Sequence, residues 1–312
     1  MLSLADQHGL NLPGRTIETL RPHVVITGAE AGLMEFLNRL HWMIHVLVDV
    51  AACRRIGYEC VEDAAREGLD YLELRFSPMF MARSHNLDVT AVVAAVTDGV
   101  RAGERDFGLM TRLIGIMSRT FGPSSCRTEL DALLAHRDQI RALDLAGDEA
   151  GWPGEIFFDH FRGGRDAGWQ VTVHAGEAGG AANVRYAIEH LGATRIGHGI
   201  RAVEDEAVIE LIRERGIGLE INLTSNLHTS SVQKLAEHPL AFFLQRGLLA
   251  SINTDDPVIS GIDLPHEFAV AAPAAGITPE LARRAQENAL KIAFLSAGER
   301  AELLRRVAAR QA

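Results

Sequence analysis

The chain has 312 residues, 47% of them apolar, enough to bury a large core in one large domain or two small ones. Its formal net charge of −10 gives no electrostatic reason to expect nucleic acid or an anionic membrane as a partner. No stretch reaches the roughly 18 apolar residues that a membrane span needs.

In chain order, the opening MLSLADQHGL lacks the basic region and apolar run of a signal peptide. It begins inside what reads as a helix, with Leu2, Leu4 and Leu10 flanking ADQHG and no capping residue before Met1. His41 and His45 lie four apart in LHWMIHV, but no acid accompanies them as in HExxH, so they read as helix and pocket lining. Cys53, Cys60 and Cys126 form no CxxC pair. They argue against a disulfide framework or a cysteine zinc site and fit a reducing cytoplasm. The expectation is one cytoplasmic globular domain over residues 1–312.

From residue 69 onward, short apolar runs end in polar residues: LDYLELRFSP, TRLIGIMSRT, IRALDLAGDE, WQVTVHAGE, TRIGHGI, GIGLEINLTSN and LLASINTDDP. Helical patterns such as VTAVVAAVTDGVRAGERDFG and EDEAVIELIRERG separate them. Strand alternating with helix predicts a parallel sheet covered by helices. Glu73, Arg75, Asp144, Asp148, His174, Glu177, His198, Asn226, Asp255 and Asp256 all fall at or just past the ends of runs. Chemistry at the C-terminal ends of strands suits a barrel or an open doubly wound sheet. No GxGxxG or GxxxxGK[ST] marks a phosphate-binding turn, which favours the barrel. The predicted fold is α/β, a (β/α)8 TIM-type barrel with its first strand missing from this chain. A barrel short of one strand leaves two unpaired edges.

His174 ends its run, and a lone strand histidine is more often structural than a ligand. Its company matters. His198 sits between two glycines, which let backbone or ligand approach closely. Asp255 and Asp256 end a run before Pro257. They read either as a solvated turn or helix cap, or as a pair in which a cation neutralises one acid while the other binds substrate. Imidazole plus carboxylate suits zinc, which makes hydroxide available at neutral pH. Glu177 would then shuttle protons close to the metal ligand, and His198 would help take the proton from water. Gly147 either exposes its backbone N–H to a ligand or makes a turn. SNLHTSS reads as loop rather than nucleophile, and no GxSxG is present.

Taken together, VTVHAGE, RIGHGI, LTSN, SINTDDP and ALDLAGDE, in this order and spacing, resemble the adenosine deaminase family of metal-dependent amidohydrolases. YLELRFSP and NALKIAFLSAGER are similar to its bacterial form, and the likeness covers essentially the whole chain. The resemblance implies a (β/α)8 barrel with one catalytic Zn2+ and a purine nucleoside as small-molecule partner. It implies His174 and Asp255 as metal ligands and Glu177 as the acid that protonates purine N1. His198 would orient and deprotonate the attacking water, Asp256 would bond purine N7, and the Gly147 N–H would contact N3. The implied reaction takes adenosine or 2′-deoxyadenosine to inosine or its deoxy form and ammonia, within purine salvage. Deamination of adenine or another 6-aminopurine, and a non-catalytic purine-nucleoside-binding homologue, are the alternatives. Oligomeric state is unreadable.

One departure stands out. The family supplies two further zinc ligands from a His-x-His motif on its first strand, and no HxH occurs in this sequence. This agrees with the strand count. These 312 residues are therefore expected to bind zinc weakly, deaminate poorly and form a destabilised barrel.

Overall fold

The structure, a computed structural model, describes residues 1–28 and 32–311. Each of the seven apolar runs forms a strand: β1 Tyr71–Phe76, β2 Met110–Ser118, β3 Ile140–Ala146, β4 Gln170–Ala175, β5 Arg195–His198, β6 Gly218–Ile221 and β7 Leu249–Ile252. They lie in sequence order, every neighbouring pair parallel. Helical segments lie between successive strands, as parallel pairing requires. Among the described residues, β1 and β7 stand at the two ends of that order.

The sheet curls so that side chains of distant strands meet across an interior. Arg75 of β1 ion-pairs with Asp144 of β3 and Glu220 of β6, and Arg195 of β5 pairs with Glu73 of β1. Strand alternation explains why. One parity (Glu73, Arg75, Asp144, Thr172, His174, Arg195, Glu220) points inward and is polar. The other (Val171, Val173, Ile196, Leu219, Ile221, Ala250, Ile252) is buried and apolar, toward the surrounding helices. The result is a curled parallel α/β sheet of the TIM type. Toward the N-terminal ends of the strands, Phe294 packs with Ile114 and Ala142. Its ring lies 3.5 Å from the Arg195 guanidinium, and its N–H donates to Glu73 Oε1 at 2.6 Å.

Helix starts follow the capping residues. Asp49 accepts from the Ala52 N–H at 2.8 Å to open Val50–Arg66, and Asp88 from Ala91 at 2.7 Å to open Val89–Phe107. These two helices pack closely because Gly99 faces the first: a Cβ there would lie 2.0 Å from the Arg54 carbonyl oxygen. The predicted helix after β5 appears as Glu206–Arg215, and the opening segment as Leu2–His8. Among the described residues no helix is long and apolar enough to cross a membrane.

Candidate active site and metal centre

The C-terminal tips of β4, β5 and β7 bring four side chains together. His174 is the fifth residue of β4 and pairs in register with Gly197 of β5. A Cβ at Gly197 would lie 3.1 Å from His174 Nδ1, so the glycine makes room for the ring. His198 ends β5 and Asp255 follows β7, with φ of 61° and 58°. Non-glycine residues in this left-handed region are strained by ~1–3 kcal/mol each, a pattern common at functional sites. His198 Nε2 lies 3.4 Å from Glu177 Oε2 and 3.8 Å from Asp255 Oδ2. The ring centroids of His174 and His198 are 5.2 Å apart.

Each of these groups is held by a partner. His174 Nδ1 lies 3.0 Å from Asp144 Oδ2, which also accepts from Arg75 at 2.8 Å. The buried Arg119 donates to the His174 carbonyl at 2.6 Å and to that of Leu145 at 3.0 Å, tying the β3 and β4 tips together. Burial opposes charge on His174, yet the adjacent Asp144 carboxylate outweighs it and raises the imidazole pKa. Burial likewise opposes charge on Asp144, but His174 and Arg75 keep it below the usual carboxylate range. Asp255 Oδ2 accepts from the Ser225 hydroxyl at 2.7 Å.

Glu177 is 4% exposed, and burial raises its carboxyl pKa despite the nearby His198. Thr229 donates its hydroxyl to Oε1 at 3.0 Å. The loop carrying Glu177 is fixed by another acid. Glu149 accepts from the backbone N–H groups of Gly176, Glu177, Ala178 and Gly179 at 2.7 to 3.1 Å, and from Asn183 Nδ2 at 2.9 Å. These bonds hold its carboxyl below the ordinary range although burial pushes the other way.

On the same rim, Gly147 follows β3 with φ of 107°, and a Cβ there would lie 2.3 Å from Thr120 Oγ1. Only glycine is comfortable in that geometry. Asp256 follows Asp255 and precedes the short helix Pro257–Ser260. Burial and the neighbouring Asp255 hold its carboxyl above the ordinary range.

The metal-ligating atoms of His174, His198 and Asp255 all lie within 4.8 Å of one another. Two imidazoles and one carboxylate at that spacing fit a divalent metal with nitrogen and oxygen preference. Glu73, by contrast, serves the interior ion-pair network, and Asp148 donates its N–H to Thr120 Oγ1 at 2.9 Å. His41 and His45 do lie on a helix, His41–His45, where their ring contacts among the described residues are with each other, Trp42 and His85.

The family profile described as adenosine deaminase matches residues 1–310. The chain belongs to the adenosine deaminase family. Adenosine deaminase of Serratia proteamaculans (strain 568) is 58% identical over 303 residues, covering 97% of this chain and 91% of that protein. Adenosine deaminase of Escherichia coli (strain SE11) is 56% identical over 310 residues, covering 99% and 93%. Among solved structures, adenine deaminase from Arthrobacter aurescens superposes with a TM-score of 0.89 at 29% identity, covering 98% of this chain and 92% of that one. An amidohydrolase from Burkhoderia ambifaria with bound Zn has a TM-score of 0.87 at 26% identity, covering 99% and 85%.

In this adenosine deaminase family member, sequence reasoning missed four supporting residues: Glu149, Arg119, Thr229 and Ser225. Glu149 stands inside LAGDE two positions after Gly147, so the motif carried a signal. SNLHTSS was expected to be loop; its first part instead belongs to the helix Leu223–His228, which aims Ser225 at Asp255 and Asn226 at His198.

Proposed function

We propose that this chain hydrolyses adenosine and 2′-deoxyadenosine to inosine, or its deoxy form, and ammonia, in purine salvage in the cytoplasm. The purine C6–N bond breaks, a C6–O bond forms with water, and the amino group leaves as ammonia. The observation that carries the reading is the buried meeting of the Glu177 carboxyl with His198 and Asp255, beside His174. Membership of the family and relatives named adenosine deaminase support it.

Glu177, whose burial keeps it protonated above the usual range, gives a proton to purine N1. Asp256, raised in the same direction, presents an O–H to the N7 lone pair. The Gly147 N–H meets N3. His198 orients the attacking water through Nε2. His174 and Asp255 hold the metal, which we read as zinc, in line with the zinc-bound Burkhoderia neighbour. The chemistry such a metal supplies is acidification of water, giving a nucleophile at neutral pH.

The solved adenine deaminase neighbour supports a second reading, deamination of the free base. Ultraviolet assays with adenosine, 2′-deoxyadenosine and adenine side by side separate the two. The proposal expects the highest kcat/KM for the nucleosides. Preference for adenine overturns it in favour of the second reading, and nucleoside binding without turnover at any zinc level overturns both.

A further inference from the structure

His238 and Asn226 lie behind the site and form, with His198, a chain of hydrogen bonds whose directions are determined by chemistry. His238 is 4% exposed and Asn226 is fully buried. The Leu240 backbone N–H donates to His238 Nδ1 at 3.1 Å, so that nitrogen carries no proton. Burial pulls the His238 pKa down to about 3, so the ring is neutral and its one proton sits on Nε2. His238 Nε2 lies 3.2 Å from Asn226 Oδ1, which accepts it. That contact settles the orientation of the Asn226 amide. Its Nδ2 then donates to His198 Nδ1 at 2.9 Å. The Asn222 Nδ2 lies 3.3 Å from the same His198 nitrogen and approaches it as a second donor. Two amide donors on Nδ1 leave Nε2 as the nitrogen that bears the ring proton of neutral His198.

We propose that His238 is a positioning residue that, acting through Asn226, holds the proton of His198 on Nε2, facing Glu177 and Asp255. An imidazole nitrogen that bears a proton has no lone pair to offer a metal. His198 therefore stands beside the metal ligands rather than among them, although its distance alone would admit it. It gives a hydrogen bond into the site, and its part narrows to orienting water. For that role the inference rests on the proposed reaction; the position of the proton does not.

The test is nitrogen-15 NMR of the full chain labelled at histidine, in mildly alkaline buffer, with and without zinc. Long-range nitrogen–proton correlations distinguish protonated from bare ring nitrogens, and His198→Asn assigns the resonances. The wild type is expected to show bare Nδ1 and protonated Nε2 on His198. Asn226→Asp, which turns a donor into an acceptor, is expected to move a proton onto Nδ1. His238→Leu frees the Asn226 amide to turn and should mix the two tautomers. His238→Gln keeps a donor toward Asn226 Oδ1 and should restore the wild-type pattern. A wild-type His198 with its proton on Nδ1 overturns the proposal, as does a folded Asn226→Asp protein with an unchanged pattern. Where a variant fails to fold, by circular dichroism, the wild-type spectrum decides. Turnover is not read here: an inactive protein with the expected tautomer refutes the proposed function alone, and an active one with the opposite tautomer refutes this inference alone.

Discussion

Asp144 Oδ2 lies 3.0 Å from His174 Nδ1, so a buried carboxylate grips one nitrogen of the ring. Such carboxylate–histidine pairs fix the ring and raise its basicity toward a metal, and losing one typically costs about 10- to 100-fold in metal affinity. Asp144→Asn keeps the shape and removes the charge. Zinc competition against a chelator should show affinity falling within that range, and an unchanged value would separate Asp144 from the metal centre.

Glu177→Gln keeps the size of the side chain and removes its transferable proton. General acid catalysis contributes about 10²- to 10⁴-fold, so kcat should fall by that order with adenosine KM little altered. The pH dependence has a definite sign. In its proposed role as the acid Glu177 works protonated, and burial raises its pKa, so kcat should decline as pH rises through that raised value. Turnover that instead grows with deprotonation in that range would remove Glu177 as the acid.

At Gly147, a methyl group meets two obstacles: a φ of 107° and a Cβ position 2.3 Å from Thr120 Oγ1. Gly147→Ala should lose about 1–3 kcal/mol of stability through backbone strain. On the proposed role of its N–H in substrate binding, it should also raise KM more than it lowers kcat. Thermal melting with steady-state kinetics checks both; an unperturbed KM would take Gly147 out of the pocket.

His238 gives a stability prediction. Its pKa is pulled from 6.5 in the open chain to about 3 by burial, so between those values the unfolded chain binds more protons than the folded one. Its contribution is fully present above 6.5 and is lost as pH falls toward 3, at about 1.4 kcal/mol per pH unit at most. Denaturant unfolding of His238→Gln should therefore show a shallower loss of stability on acidification than the wild type. An equal slope would mean that His238 is protonated in the folded state.

β4 was legible because its outer parity is apolar and its inner parity polar: Val171 and Val173 announce the strand while Thr172 and His174 announce its interior. The site residues were legible for a related reason: polar side chains collect where a strand runs out, as at His174, His198 and Asp255. Their supports were not. Glu149 reaches a loop nearly thirty positions away, and Thr229 reaches Glu177 across fifty-two. No local periodicity encodes such meetings. The start of SNLHTSS read as loop because Ser, Asn and Thr are poor helix formers, and packing of the buried Leu223, Thr224, Ser225 and Asn226 overrides that preference.

Adenosine deamination by this chain is tested most directly by the loss of adenosine absorbance during a zinc titration, with bound zinc determined on the same samples. Among the described residues the metal-ligating set comprises His174, His198 and Asp255, and a proton on His198 Nε2 leaves His174 and Asp255 as its two ligands. Deamination is therefore expected to depend on zinc, to be slow at one zinc per chain and to rise with excess metal, and Glu177→Gln is expected to lower it by about 10²- to 10⁴-fold. A folded chain that binds adenosine yet turns none over at any zinc concentration would contradict it.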